Sequence, residues 1–148
     1  MEIVSIIIAV ISAVFSVVTY IKTVRHEKRK ATIEAFNSLQ NEVLDKFVCI
    51  SNNNAKIIIE NLDNEKCKEA YDDQRALIAR LEHFAVGVNK HIYDLNVVNE
   101  LLAGVHLVSL YQKIKPIIDE VNRNEQESIH YCHFTKLVGD LTKKHKVK

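Results

Sequence analysis

The chain has 148 residues, of which 47% are hydrophobic and 26% are charged, and twenty basic against nineteen acidic residues give a formal net charge of +1. This length suits one modest domain. The charged fraction excludes a porin or a polytopic membrane protein, and three Gly and one Pro are too few for the turns of a β-sandwich. The near-zero net charge argues against a nucleic-acid binder, although an average can conceal segregated charge.

The first element is an uncharged apolar segment of nineteen residues, from Ile3 to Ile21. As a helix it spans about 28 Å, close to the thickness of a bilayer core. A cleaved signal peptide would carry positive charge before the apolar run, but Glu2 precedes this one. A buried core helix this apolar on every face would need a larger core than the chain supplies. We therefore predict a single-pass transmembrane anchor over residues 1–22.

Positive charges follow the anchor directly, in a basic juxtamembrane segment over residues 23–30. By the positive-inside rule they stay in the cytoplasm and the N-terminus lies outside, which predicts an inner-membrane protein. We expect the cluster to contact anionic lipid, and the alternative is that it only sets the topology. With Lys22 at the end of the anchor there are five cations, the other four being Arg25, Lys28, Arg29 and Lys30, and Glu27 opposes them.

Small residues recur every four positions within the anchor, at Ser5, Ala9 and Ala13. Small side chains at this spacing let two membrane helices approach closely. We therefore expect self-association through this stripe and a homo-oligomer, with the alternative that Ser and Ala are ordinary residues of a short anchor.

The chain after the anchor has helical periodicity. Apolar residues at spacings of three and four run from Phe36 to Ile50, and the anchor helix either continues unbroken to Ile50 or breaks near Ala31. Residues 51–54 are predicted to form a loop because Ser and Asn compete for backbone hydrogen bonds. Residues 56–60 fit a helical turn better than a lone strand.

Three further apolar patterns predict the rest of the body. The most secure helix is expected to begin at Asp72 and Asp73, whose charges suit the helix dipole. Asp94 is predicted to cap the next helix, which Pro116 should kink or restart near Lys115. The basic tail, residues 143–148, is expected to be frayed. The predicted core residues of the three helices are Leu77, Leu81, Phe84, Val88 and Ile92, then Val98, Leu101, Val105 and Val108, and finally Phe134, Leu137, Val138 and Leu141.

Together these elements predict an all-α fold, with one N-terminal transmembrane helix and a small cytosolic bundle of four to five helices over residues 31–142. That body has eleven basic and seventeen acidic residues, a net charge of −6 between two basic ends. The near-neutral total is therefore an average over segregated charges. This segregation favours an inner-membrane protein over a nucleic-acid binder.

The densest cluster of potential metal ligands is His130, Cys132 and His133. Two His at this spacing share a helix face, and Cys suits zinc. Cys132 projects elsewhere and no carboxylate stands at a matching interval, so we predict no metal site and no cofactor. Glu82, on the flank of a core stripe, is expected to be paired with Arg75, Arg80 or a His rather than to be catalytic.

Arg123 followed by His130 resembles the Arg-(four to six residues)-His motif of HEPN-type ribonucleases, in which the two side chains flank a scissile phosphate. No Gly-rich phosphate loop or nucleophile elbow accompanies this pair. We therefore predict a protein that is not an enzyme, and a membrane-tethered ribonuclease using Arg123 and His130 is the alternative.

One stretch of the sequence resembles the family catalogued as domain of unknown function 4760, small bacterial proteins with an N-terminal membrane helix and a short helical cytosolic domain. The resemblance covers the anchor and about residues 31–124, and it leaves His130 and its neighbours outside. It implies no activity or catalytic residue, and it marks Glu82, Phe84, Gly87 and Asp94 as structural signatures. It rests on Leu81-Glu82-His83-Phe84-Ala85-Val86-Gly87-Val88-Asn89, Ile92-Tyr93-Asp94 and Leu101-Leu102-Ala103-Gly104.

These observations predict a membrane-anchored protein that self-associates and binds a protein partner and membrane lipid, but no nucleic acid. By analogy, the architecture suits a membrane effector of a bacterial or phage defence-type system. The second alternative is a cytosol-facing sensor of a small ligand.

Overall fold

The computed structural model describes residues 2–44, 52–101, 103–124 and 130–146. Within these ranges it contains six α-helices and no strand, which confirms the all-α prediction. The helices are α1 (Glu2–Leu39, followed by a π-helical segment, Gln40–Leu44), α2 (Asn52–Glu60), α3 (Glu65–Asn89), α4 (Leu95–Glu100), α5 (Ala103–Asn124) and α6 (Cys132–Lys146).

Helix α1 joins the apolar segment to the body without interruption. Its 38 residues correspond to about 57 Å of helix. No residue of the apolar half from Ile3 to Ile21 is buried, and α1 is long and apolar enough to cross a membrane. The alternative break near Ala31 does not occur, because the basic stretch is followed at once by residues that pack on the body. Phe36, Leu39 and Val43 are buried there, whereas Phe47 and Ile50 lie outside the described residues.

Helix α3 packs antiparallel to α1. The Phe36 and Phe84 ring centroids are 6.2 Å apart, and the backbone N–H of Asp94 meets the hydroxyl of Thr32. The earlier residue on α1, Thr32, therefore lies beside the later residue Asp94, and Phe36 lies beside the earlier residue Phe84. The C-terminal end of α3 consequently lies at the end of the body nearest the apolar segment.

The core lies between α3, α5 and α6 and the second half of α1. The predicted core residues Leu81, Phe84, Val88 and Val98 are buried, as are all four predicted in α6. Ile92 was predicted wrongly and is 61% exposed, because α3 ends at Asn89 and the helical period ends with it. Val105 was also predicted wrongly and is 54% exposed, because α4 ends at Glu100 and α5 restarts the periodicity.

Two helices begin earlier than predicted. Helix α3 begins at Glu65, where the Asn64 side chain accepts the backbone N–H of Lys66 at 3.0 Å, so Asp72 and Asp73 lie beyond its first turn. Helix α2 begins at Asn52, inside the predicted loop, and Ser51 lies outside the described residues. At α2 the packing of the helix against the rest of the body outweighs the weak helix propensity of Asn, whereas at α3 Asn64 is a favourable N-cap.

Two helices are longer than predicted. Helix α5 continues through Pro116 to Asn124, so the predicted restart near Lys115 does not occur, and the alternative of a kink there stays a prediction. The residue four positions earlier, Gln112, is exposed, so water can supply the donor that proline lacks. Helix α6 extends to Lys146, so the basic tail is helical over most of its length rather than frayed.

Candidate functional site

The predicted anchor residues all lie on the first half of α1. Every residue from Ile3 to Ile21 is exposed, and Ser5, Ala9 and Ala13 share one face of the helix. An apolar helix that no part of the body covers is suited to lipid or to another membrane helix. Self-association through the small residues stays a prediction.

The basic residues that follow the apolar segment divide between that segment and the body. The Arg29 guanidinium lies 3.1 Å from the Glu100 carboxylate of α4, and Lys30 lies 3.8 Å from Glu34. Both pairs are exposed, so each contributes little to stability. Lys22 and Arg25 come first along α1 and lie nearest the apolar segment. The predicted lipid contacts are therefore best placed at that end of the cluster.

A buried hydroxyl fastens α1 to the body just beyond the basic cluster. Thr32 is completely buried, and its Oγ1 donates to the Lys28 carbonyl at 2.7 Å and accepts the backbone N–H of Asp94 at 2.8 Å. Thr32 was not among the residues predicted from the sequence. The signal was its spacing, because Thr32 extends the apolar stripe of Phe36 backwards by four positions.

The turn that reaches Thr32 is built on a close approach at Gly87. The backbone N–H groups of Ile92 and Tyr93 both donate to the Gly87 carbonyl, at 2.9 and 3.0 Å, and His91 has a φ of 60°. The Tyr93 ring lies against Gly87, where an added Cβ would come within 2.3 Å of its Cε2. Asp94 then caps α4, as predicted, by accepting the Asn96 N–H at 2.8 Å.

A cleft of about 500 Å³ opens between α1 and α3 beside this turn. Phe84 contributes to its floor and stacks on Tyr93, with the ring centroids 5.5 Å apart. Arg80 and His83 contribute cationic or polar groups to the rim. The remaining lining residues are Ala35, Ser38, Leu39, Val43, Ala79 and Tyr93.

Glu82 has structural partners of a kind that was not predicted, namely backbone amides. Its carboxylate accepts the backbone N–H groups of His133 at 3.0 Å and Phe134 at 2.7 Å. These amides belong to the first turn of α6, whose N–H groups have no partner within the helix. A negative charge at that end also complements the helix dipole. Glu82 of α3 therefore caps α6 from outside its own chain segment.

This cap brings together three potential metal ligands that are distant in sequence. One ligand atom from each of Glu82, Cys132 and His133 lies within 4.8 Å of the others. No carboxylate stands at a matching interval in the sequence, but the packing of α6 against α3 brings Glu82 beside Cys132 and His133. The carboxylate is nevertheless engaged by two amides at the positive end of a helix, which disfavours a cation. His133 Nδ1 lies 3.3 Å from the Asn89 side-chain nitrogen, so this ring atom already has a hydrogen-bond partner. The geometry therefore favours a helix cap over a metal site.

The two residues of the ribonuclease alternative have separate partners. The Arg123 guanidinium lies 2.7 Å from the carboxylate of Glu120, one turn earlier on α5. The backbone N–H of His130 donates to the Asn122 side chain at 2.7 Å. Residues 125–129, which connect the two, lie outside the described part of the chain. Cleavage by this pair stays an untested alternative.

Comparison with known proteins gives one result. The family model described as domain of unknown function (DUF4760) matches residues 3–141. No curated protein and no solved structure matches the chain. The match extends beyond residue 124, where the resemblance was expected to end, and includes most of α6 with the amides that Glu82 caps. From the apolar segment to Leu141, the chain belongs to the DUF4760 family.

Proposed function

We propose that this protein is a single-pass inner-membrane protein whose helical body acts by self-association and partner binding rather than by catalysis. The observation that carries the proposal is the unbroken α1, which runs from the exposed apolar segment into the buried core. Thr32 ties that helix to the α3–α4 turn on the membrane side of the core. Because the described part of α1 has no break between the two regions, a movement of the body would turn or tilt the anchor directly.

The proposed orientation has the N-terminus outside and the body in the cytoplasm. Five cations follow the apolar segment and a single acid precedes it, which supports this direction. A reporter enzyme that is active only in the cytoplasm, fused after Lys148, should be active in cells. Activity of a periplasm-only reporter at the same place would contradict the orientation.

Self-association is tested with the full-length protein in detergent. Sedimentation or light scattering should give an oligomer, and Ala9→Leu should weaken it because the added side chain keeps two helices apart. Ile11→Phe is the matched control, since it adds bulk on the opposite face of α1. A strictly monomeric wild-type protein would refute self-association, and equal effects of the two substitutions would refute the small-residue stripe.

The proposed setting is a membrane effector of a bacterial or phage defence-type system. A body that binds a cytosolic signal and an anchor that rigidly follows it are the two parts that such an effector requires. The support is architectural and therefore an analogy. Growth after expression of the full chain, compared with a chain whose anchor carries Ala9→Leu, would show whether anchor association disturbs the membrane.

The cleft between α1 and α3 makes small-ligand sensing the second candidate function. Its volume of about 500 Å³ falls within the range of small-molecule sites, and both of its walls belong to helices of the anchor–body junction. A ligand should raise the unfolding temperature of the detergent-solubilised protein. Ala79→Leu should reduce that shift by narrowing the cleft, whereas Ala76→Leu, exposed on the same helix, should not. Equal shifts in both variants would exclude the cleft.

A further inference from the structure

The direction of α6 is fixed by two hydrogen bonds at its first turn. The His133 N–H donates to Glu82 at 3.0 Å, and the His133 carbonyl accepts from the Asn89 side chain at 2.9 Å. In an α-helix, N–H groups point to the N-terminus and C=O groups to the C-terminus. Helix α6 therefore runs from the level of Glu82 towards that of Asn89, parallel to α3 and antiparallel to α1. Its C-terminal end points back towards the apolar segment.

The length of α6 carries its basic end close to the membrane side. Phe36, which is level with the start of α6, lies about 22 Å along α1 beyond Ile21. From His133 to Lys146, α6 rises about 20 Å, and still about 15 Å if the helices cross at 40°. The ammonium group of Lys144 binds the Asn96 side chain on α4, two residues from the Asp94 that contacts α1. The end of α6 thus reaches the level of the juxtamembrane cations.

The charges of the body are arranged along the same direction, with lysines near the apolar segment and acidic residues at the far end of α3. Lys143 and Lys144 lie at the end near the apolar segment, and Lys143 has Asp140 as a neighbour at 3.9 Å. Lys146 and Lys148 follow them in the sequence. The opposite end of α3 begins about 36 Å from Asn89, and there four exposed acids outnumber the exposed Lys66 and Lys68. Its exposed acidic residues are Glu65, Glu69, Asp72 and Asp73.

We infer that the basic C-terminal end of α6, which carries Lys143 and Lys144, is a second contact with anionic lipid, on the same leaflet as the juxtamembrane cations. The inference rests on the proposed membrane anchoring of α1. An anionic leaflet attracts each lysine near its surface, which raises the contact equilibrium constant about fivefold per lysine. With the anchor on one side and the end of α6 on the other, the body would be held at two points with its acidic end away from the membrane.

The test places a dye beside the lysines in the full-length protein. The native cysteines are changed to serine (Cys49→Ser, Cys67→Ser and Cys132→Ser), and Val147→Cys carries an environment-sensitive dye. The protein is reconstituted in vesicles of phosphatidylcholine alone or with phosphatidylglycerol. The emission should shift to the blue only with phosphatidylglycerol, and added salt should reverse the shift. The same dye at Glu69→Cys, at the acidic end, should not respond.

Neutralising the lysines supplies the second arm. Changing Lys143, Lys144, Lys146 and Lys148 to Gln should abolish the shift, and each single change should lower the contact equilibrium constant about fivefold. If the quadruple variant does not fold, the inference is tested by adding salt to the dye-labelled protein that keeps its four lysines and measuring whether the blue shift is reversed. Equal emission in both kinds of vesicle would overturn the inference, and so would the same blue shift in lipid-free detergent, which would indicate a protein contact. Loss of the whole chain from the vesicles on alkaline extraction would instead contradict the anchoring.

Discussion

Removing the negative charge of Glu82 is expected to loosen α6 and lower the stability of the body. The carboxylate accepts two backbone N–H groups, from His133 at 3.0 Å and Phe134 at 2.7 Å. Glu82→Gln keeps one acceptor oxygen and replaces the other with an NH₂ group, which cannot accept a hydrogen bond. One amide of α6 then loses its partner, and the helix dipole loses its counter-charge.

The magnitude follows from these two losses. A lost helix cap costs about 1 kcal/mol, and a charge at a helix end contributes about 0.3–1 kcal/mol where it is exposed and up to about 2 kcal/mol where it is partly buried. Glu82 is half-buried, so we expect Glu82→Gln to cost about 1–2 kcal/mol in the free energy of unfolding. Glu82→Ala removes both acceptors and should cost about 2–4 kcal/mol.

Thermal unfolding of the full-length protein in detergent, followed by circular dichroism, measures the effect. For a body of this size, Glu82→Gln should lower Tm by about 4–10 °C. Hydrogen exchange at the amides of His133 and Phe134 should accelerate about tenfold for each 1.4 kcal/mol lost. Glu69→Gln is the matched control, because Glu69 is an exposed glutamate on the same helix and its substitution should stay within about 0.5 kcal/mol.

Two results would refute this reasoning. If Glu82→Gln and Glu69→Gln unfold at the same temperature, the carboxylate does not stabilise α6. If Tm falls but exchange at His133 and Phe134 is unchanged, Glu82 stabilises the body through some other contact.

Two further substitutions test the junction between α1 and the body. Gly87→Ala should lower the free energy of unfolding by about 1–3 kcal/mol, because its Cβ would displace the Tyr93 ring. Gly139→Ala is the control, because its Cβ would meet no neighbouring atom within 4 Å, and it should stabilise α6 by up to about 1 kcal/mol. Equal Tm values of the two variants in detergent would contradict the contact between Gly87 and Tyr93. Thr32→Val keeps the shape of the side chain but leaves the Asp94 amide without its acceptor, so it should lower the free energy of unfolding by about 1–3 kcal/mol. Hydrogen exchange at the Asp94 amide should accelerate, and unchanged exchange would show that the hydroxyl does not hold the turn.

Local features of the sequence predicted the elements of this fold better than their ends. Asp94 was identified as a cap because an Asx side chain needs only the two residues that follow it. The start of α3 was missed because Asp72 and Asp73 gave a stronger signal than Asn64, which is the actual cap. Ile92 was misplaced because a period of 3.6 holds only while the helix continues.

The sequence by itself determined the exposed apolar helix, the basic cluster after it, the helical class of the body and the family, because hydropathy, charge order and periodicity are properties of neighbours along the chain. Only the tertiary structure decided which distant residues meet. It placed Glu82 at the first turn of α6, Thr32 beneath the Asp94 amide and Lys144 beside α4. These contacts depend on the relative directions of α1, α3 and α6, which the packing of side chains sets and no local pattern encodes.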